Sequence, residues 1–219
     1  MQTSQKLLFH GHTPFYQEVK TMKKSIFLLL FCVLVLVQCR AAAAMLVTFS
    51  AKDITDALKQ GNEQGTHVIE YINQHYRFGD KDELTEDGII RTKWSKLMVF
   101  SGLLADKGIK PSEQQRDMIV SSTELQIDVH TVGDRMDFAN DYKVHLVQKG
   151  VSIAPEKISA DDVAYFPKKG GMPSGFPRYH ATIRAYFAYD KITPDDKAAI
   201  ILMKDKKKVV FEVNFADYK

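Results

Sequence analysis

Hydrophobic and polar positions change period twice along this chain. Ile26–Val37 is an unbroken apolar run of 12 residues. From Ser50 to about Arg116 the apolar positions recur at helical spacing, and from about Met118 they alternate. Ser50-Ala51-Lys52-Asp53 carries the signature of an N-cap with an acid three residues on, and Ile54, Ala57 and Leu58 form a stripe that Gly61 is expected to end. A second helix is predicted from Thr66 to about Arg77, with Val68, Ile69, Tyr71, Ile72 and Tyr76 on one broad face. The third and longest is predicted from about Glu83 to Lys107. Its stripe is Ile90, Trp94, Leu97, Ser101 and Leu104, and Gly108 and Pro111 supply the stop.

Beyond Met118 the period is two. Leu125, Ile127 and Val129 alternate with Glu124, Gln126, Asp128 and His130, which predicts a half-buried strand ending at Gly133-Asp134. Tyr142, Val144 and Leu146 alternate in the same way. A shorter candidate lies around Val163–Phe166, and Tyr179–Tyr189 sets Ile183, Ala185 and Phe187 against His180, Thr182, Arg184 and Tyr186. Ala198–Met203 is apolar on both faces and reads as a central strand. Asp205-Lys206 then turns the chain into Lys207–Phe215, with Val209, Phe211, Val213 and Phe215 inward. Five or six strands in about 100 residues predict two packed antiparallel sheets. The expected fold is α+β: a helical domain over 45–116, then an immunoglobulin-like β-sandwich over 117–219. The alternative is one α+β domain with the long helix on a sheet face.

The apolar run near the start is an address. Lys23 and Lys24 precede it and four alanines, Ala41–Ala44, follow, the layout of a secretory signal. Twelve residues fall short of the about 20 that span a bilayer. Residues 1–44 therefore form an upstream extension plus export signal, with Met22 the expected start. Cleavage after Ala43 would release a soluble protein. Leu36-Val37-Gln38-Cys39 resembles a bacterial lipobox, with Gln38 where that motif has a small residue, so lipidation at Cys39 is the alternative.

Cysteine usage and charge narrow the class. The two cysteines, Cys32 and Cys39, both lie in that segment, so no disulfide can form after Arg40. No Asn-x-Ser/Thr site occurs. Both features favour a bacterial envelope protein, periplasmic, secreted or lipid-anchored. The whole chain has a net charge of +3, but residues 1–44 hold five basic side chains and one acidic one, which leaves the remainder at −1. Nucleic-acid binding through a general positive field is not expected.

Candidate chemistry is sparse. His67 and His75 are eight apart, roughly 12 Å along a helix, too far to share a metal. Trp94 reads as a core anchor. His130, His145 and His180 fall on polar faces and are expected to be solvated; no metal and no cofactor is expected. The acidic stretch Asp80–Gly88 fails as a calcium loop, since Leu84 and Arg91 stand where ligands belong, and reads as a solvated turn. Paired acids such as Asp161-Asp162 and Asp195-Asp196 read as turns. The stretch Phe166–Arg178 is the one with binding character: three prolines and three glycines interrupt regular structure, while Phe166, Lys168, Lys169, Met172, Phe176 and Arg178 offer aromatic and cationic contacts. A non-catalytic envelope protein that binds a protein, glycan or cell-wall component is the expected function, with an exported hydrolase as the alternative.

Overall fold

The computed structural model describes residues 45–80, 86–161 and 179–219, which fall in one compact unit, Ala43–Lys219. The export segment with Cys39, the strand candidate Val163–Phe166 and the whole of Phe166–Arg178 lie outside the described residues. The chain is α+β, with two antiparallel sheets.

The helices come first. Helix α1 (Ala51–Gln64) opens on the capping box foreseen at Ser50 and Asp53. It does not stop at Gly61 but runs on to Gln64, and Gly65 at φ 50° ends it. A 3-10 turn leads into α2 (Val68–His75). Strand β1 (Arg77–Gly79) follows, then β2 (Asp87–Arg91), then α3 (Lys93–Ala105), with Thr92 as its N-cap. The long helix expected from Glu83 is therefore a strand followed by a shorter helix. Ile89 and Ile90 are both buried, so β2 lacks the alternation of a half-exposed strand and mimics a helical stripe. Gly88 sits where a Cβ would come within 2.2 Å of the Asp128 carbonyl and the Phe78 ring, a close approach only a strand register here permits. Helix α4 (Glu113–Val120), capped by Ser112 and Gln115, crosses the position where the period changes.

Strands β3 (Glu124–Gly133), β4 (Lys143–Gln148), β7 (Tyr179–Ala188) and β9 (Lys207–Asn214) match the alternating stretches, and β8 (Lys197–Lys204) matches the run read as apolar on both faces. The short β5 (Val151–Ile153) and β6 (Lys157–Ala160) were not foreseen. One sheet runs β1-β2-β3-β7-β6 and the other β5-β4-β8-β9. Strands β1 and β2, which precede residue 117, thus pair into the sheet that β3 and β7 form beyond it. Leu125, Ile127 and Val129 of β3, Ile183 and Phe187 of β7, and Leu146 and Ile200 of the second sheet all belong to one buried cluster, which also contains Val68, Ile72, Trp94 and Leu97 from the helices.

The α1–α3 contact is set by small residues. A Cβ on Gly61 would lie 2.3 Å from the Met98 carbonyl oxygen, and one on Gly102 would lie 2.8 Å from Val68. The Ser101 hydroxyl lies 2.8 Å from the Leu58 carbonyl oxygen and 2.6 Å from Asn62 Oδ1, so its one proton has an acceptor inside that crossing. Trp94 is 3% exposed, and its indole N–H donates to Gln60 at 3.2 Å, which fits the anchor role read from its place in the stripe. Gly61→Ala should force the helices apart, at a cost of about 1–3 kcal/mol, lowering Tm by about 2–4 °C per kcal/mol in a domain of this size. Gly108→Ala, whose Cβ meets nothing within 4 Å, pays only for its left-handed φ; thermal melts ranking it as the more damaging change would overturn the close-approach account.

Candidate functional site

Two arrangements of polar groups stand out among the described residues, and they differ in whether those groups are already spoken for. The first is the outer face of the β1-β2-β3-β7-β6 sheet. Register places Asp87 opposite His130 and His130 opposite Thr182; Ile89, Asp128, Arg184 and Ser159 form the next row. Charge pairing follows the rows and their diagonals. Asp87, 2% exposed, is ion-paired to Arg77 and accepts from His130 Nδ1 at 2.6 Å. Asp128, 4% exposed, accepts from Arg91 Nε at 2.6 Å and Gln126 Nε2 at 2.7 Å. Asp161 accepts from Arg184 Nη1 and from the Thr182 amide, both at 2.8 Å. The stretch expected to be a solvated turn therefore supplies, in Asp87, a buried ion-pair partner. Lys96 of α3 stands within electrostatic reach of Asp128, and burial holds its pKa below the ordinary lysine value.

His130 also titrates below its ordinary value. Burial is the main cause, Arg77 and Arg91 act in the same sense, and Asp128 and Asp161 act against them. Its bond to Asp87 is consistent with that direction, because Arg77 already neutralises the carboxylate and a neutral imidazole can donate through Nδ1–H. His180 lies on the same outer face, diagonally across from His130, whereas His145 is in β4 of the other sheet. The three strand histidines do not converge. His67 and His75 are exposed, His75 stacked on Tyr71 at 4.0 Å. Among the described residues no three His, Cys, Asp or Glu side chains are placed to hold a metal ion.

The second arrangement is a cleft of about 720 Å³ where the ends of several elements meet. The strap Val47-Thr48-Phe49 forms one wall, Val120–Thr123 at the end of α4 a second, and Glu124, Ala188, Tyr189 and Asp190 at the ends of β3 and β7 a third. Lys93 and Glu156 complete it. Register explains the opening: Glu124 pairs with Ala188, whose small side chain leaves room beside the carboxylate. The strap is held by the Met45 amide on the Pro194 carbonyl at 3.2 Å and by the Lys93 ammonium on the Val47 carbonyl at 2.9 Å. That ammonium also lies 5.1 Å from the centre of the Tyr189 ring, and burial lowers its pKa. Burial raises the pKa of the Tyr189 phenol. Glu156 is ion-paired to Lys191.

Sequence reading did not find this cleft. Its lining comes from five separated stretches, and the one local hint was the hydroxyl run Ser121-Ser122-Thr123 between helix and strand. The residues it had singled out, Cys39 and Phe166, Lys168, Lys169, Met172, Phe176 and Arg178, lie outside the described residues. No protein family, curated protein or solved structure matches the chain.

The His130 arrangement fixes a sign. A group with a folded pKa below its unfolded one leaves the unfolded state with more bound protons as pH drops through the unfolded value, so stability is lost on the acid side. Tm should fall as pH is lowered from about 7.5 to about 5.5, and His130→Gln should flatten that part of the slope. Parallel slopes for the two proteins would remove His130 from the pH response.

Proposed function

We propose that this is an exported bacterial envelope protein of the binding type, with an immunoglobulin-like sandwich as its framework and the cleft beside Lys93 and Tyr189 as its ligand site. The observation that carries the binding reading is the contrast between the two polar arrangements. On the outer sheet face Asp87, Asp128 and Asp161 are bonded to Arg77, His130, Arg91 and Arg184, while the cleft presents hydroxyls, apolar side chains and the Asp190 and Glu124 carboxylates around open volume. Paired groups hold structure; a concave site with a few polar groups on an apolar wall suits ligand binding. The sandwich reading is supported by strand order. The run β2-β3-β7-β6 corresponds to strands A-B-E-D of that fold and β5-β4-β8-β9 to C′-C-F-G. Helices α3 and α4 then stand as an insertion between the first two strands.

Export is part of the same proposal, with release after Ala43 ahead of lipidation at Cys39. Met45 is buried, so the fold begins within two residues of that cut. Lipidation would leave a tether of about 20 Å at full extension between Cys39 and Met45, holding the domain close to the bilayer. The partner is a protein, glycan or cell-wall component.

Ser121 is exposed and lines the cleft, so Ser121→Trp should fill it with little effect on Tm. Retention of the wild-type protein on peptidoglycan sacculi, lipopolysaccharide or soluble periplasmic proteins would be compared with that of Ser121→Trp and of a Lys168→Ala, Lys169→Ala, Arg178→Ala variant. Loss only in Ser121→Trp supports the cleft. Loss only in the triple variant moves the contact to the Phe166–Arg178 loop. In parallel, the processed protein should begin at Ala44 and take up no labelled fatty acid; label that disappears in Cys39→Ala would reverse the export reading.

A further inference from the structure

We propose that strand β9 is a self-complementary edge through which two copies of this chain pair, joining their four-stranded sheets into one of eight strands. Among the described residues four strands end the two sheets. Three are short, β1 and β5 with three residues and β6 with four, which is one way proteins make sheet edges unusable. Strand β9 has eight, Lys207–Asn214, with no proline, and β8 is its only ladder partner among the described residues.

Its hydrogen-bonding parity determines what the free side offers. The β8–β9 hairpin closes on the Lys204–Lys207 pair, and the Phe215 amide donates to the Asp196 carbonyl at 3.1 Å in the same register. Odd-numbered residues of β9 therefore direct their backbone groups to β8, while Lys208, Val210 and Glu212 direct theirs outward. The side chains divide by the same parity. Phe211, Val213 and Phe215 face the core, with Phe211 edge-on to Phe78 at 5.1 Å, and Lys207 is ion-paired to Glu86, the residue before β2. Lys208, Val210 and Glu212 face solvent, and Val210 is 45% exposed.

An antiparallel copy centred on Val210 satisfies all three residues. Val210 then meets Val210 of the second copy, and Lys208 meets Glu212 twice, once on each side of the two-fold axis. The outward N–H and C=O groups at 208, 210 and 212 are those that a ladder in this register uses. Cross-strand pairs of opposite charge on one face favour such a pairing and like charges oppose it. The arrangement is isologous and closes on itself, so it ends at a dimer rather than a fibre.

Sedimentation equilibrium of the purified protein should show a monomer–dimer equilibrium that weakens as salt is raised. Lys208→Glu places four carboxylates along the junction, and Glu212→Lys places four ammonium groups. Each should weaken association by about ten-fold or more while leaving the circular dichroism spectrum unchanged. The double variant Lys208→Glu, Glu212→Lys should dimerise again, and so should an equimolar mixture of the two single variants. Val210→Pro removes an outward N–H that has no partner among the described residues, so it should block the dimer and keep the fold. A wild-type protein that stays monomeric at every concentration overturns the proposal, as does a dimer that survives both single charge reversals, or one that neither the double variant nor the mixture restores.

Discussion

The ten-pair ladder between β3 and β7, from Glu124 with Ala188 to Gly133 with Tyr179, is the constraint on which the other parts depend. Side chains alternate across a strand, so a one-residue slip of β3 would send Leu125, Ile127 and Val129 to solvent and bring Asp128 and His130 into the core, and a slip of β7 would expose Ile183 and Phe187 and turn Arg184 inward. Burial of the three large side chains of β3 or the two of β7, each worth about 1.5–3 kcal/mol, holds the register against that. The same register brings Asp128 opposite Arg184, leaves Ala188 beside Glu124 at the mouth of the cleft, and gives β2 an edge to join.

Strand β2 carries the order of the sheet into the helices. One residue separates its end at Arg91 from the start of α3 at Lys93, and that residue, Thr92, is fully buried and serves several partners. Its hydroxyl accepts from the Ser95 amide at 3.1 Å and donates to the Lys219 carbonyl at 2.6 Å. The Tyr76 hydroxyl donates to the same carbonyl at 3.3 Å, and the Lys219 ammonium sits 3.6 Å from the centre of the Trp94 ring. Sheet, helix α3 and the last residue are thus tied at one point. The α1–α3 crossing at Gly61 and Gly102 then fixes how the remaining helices lie on α3.

The paired charges of the outer face are better understood as specifying the register than as a large source of stability. Desolvation of buried carboxylates such as Asp87 and Asp128 costs several kcal/mol each, which their partners roughly offset. A wrong register would leave those carboxylates buried without partners, a much larger penalty. The cleft shows the opposite condition: hydroxyls and carboxylates border open volume at the strand ends, where the ladder has stopped and no cross-strand partner is available.

Much of the sheet was legible in the sequence because a half-buried strand writes its environment as a period of two. Strands β3, β4, β7 and β9 follow from that period, β8 from a run apolar on both faces, the Ser50 capping box from its N-cap signature and the core position of Trp94 from its helical stripe. Strand β2 was misread because Ile89 and Ile90 are buried on both faces, which erases the period and leaves a pattern a helix shares. The edge strands β1, β5 and β6 are too short to show any period. Which charges pair, that Asp87 is buried, that His145 stands apart from His130 and His180, and that five distant stretches enclose a cleft were decided only by the tertiary structure. Those facts depend on strand order and register, and long-range pairing is set by the joint burial of side chains far apart in the chain, which no local pattern encodes.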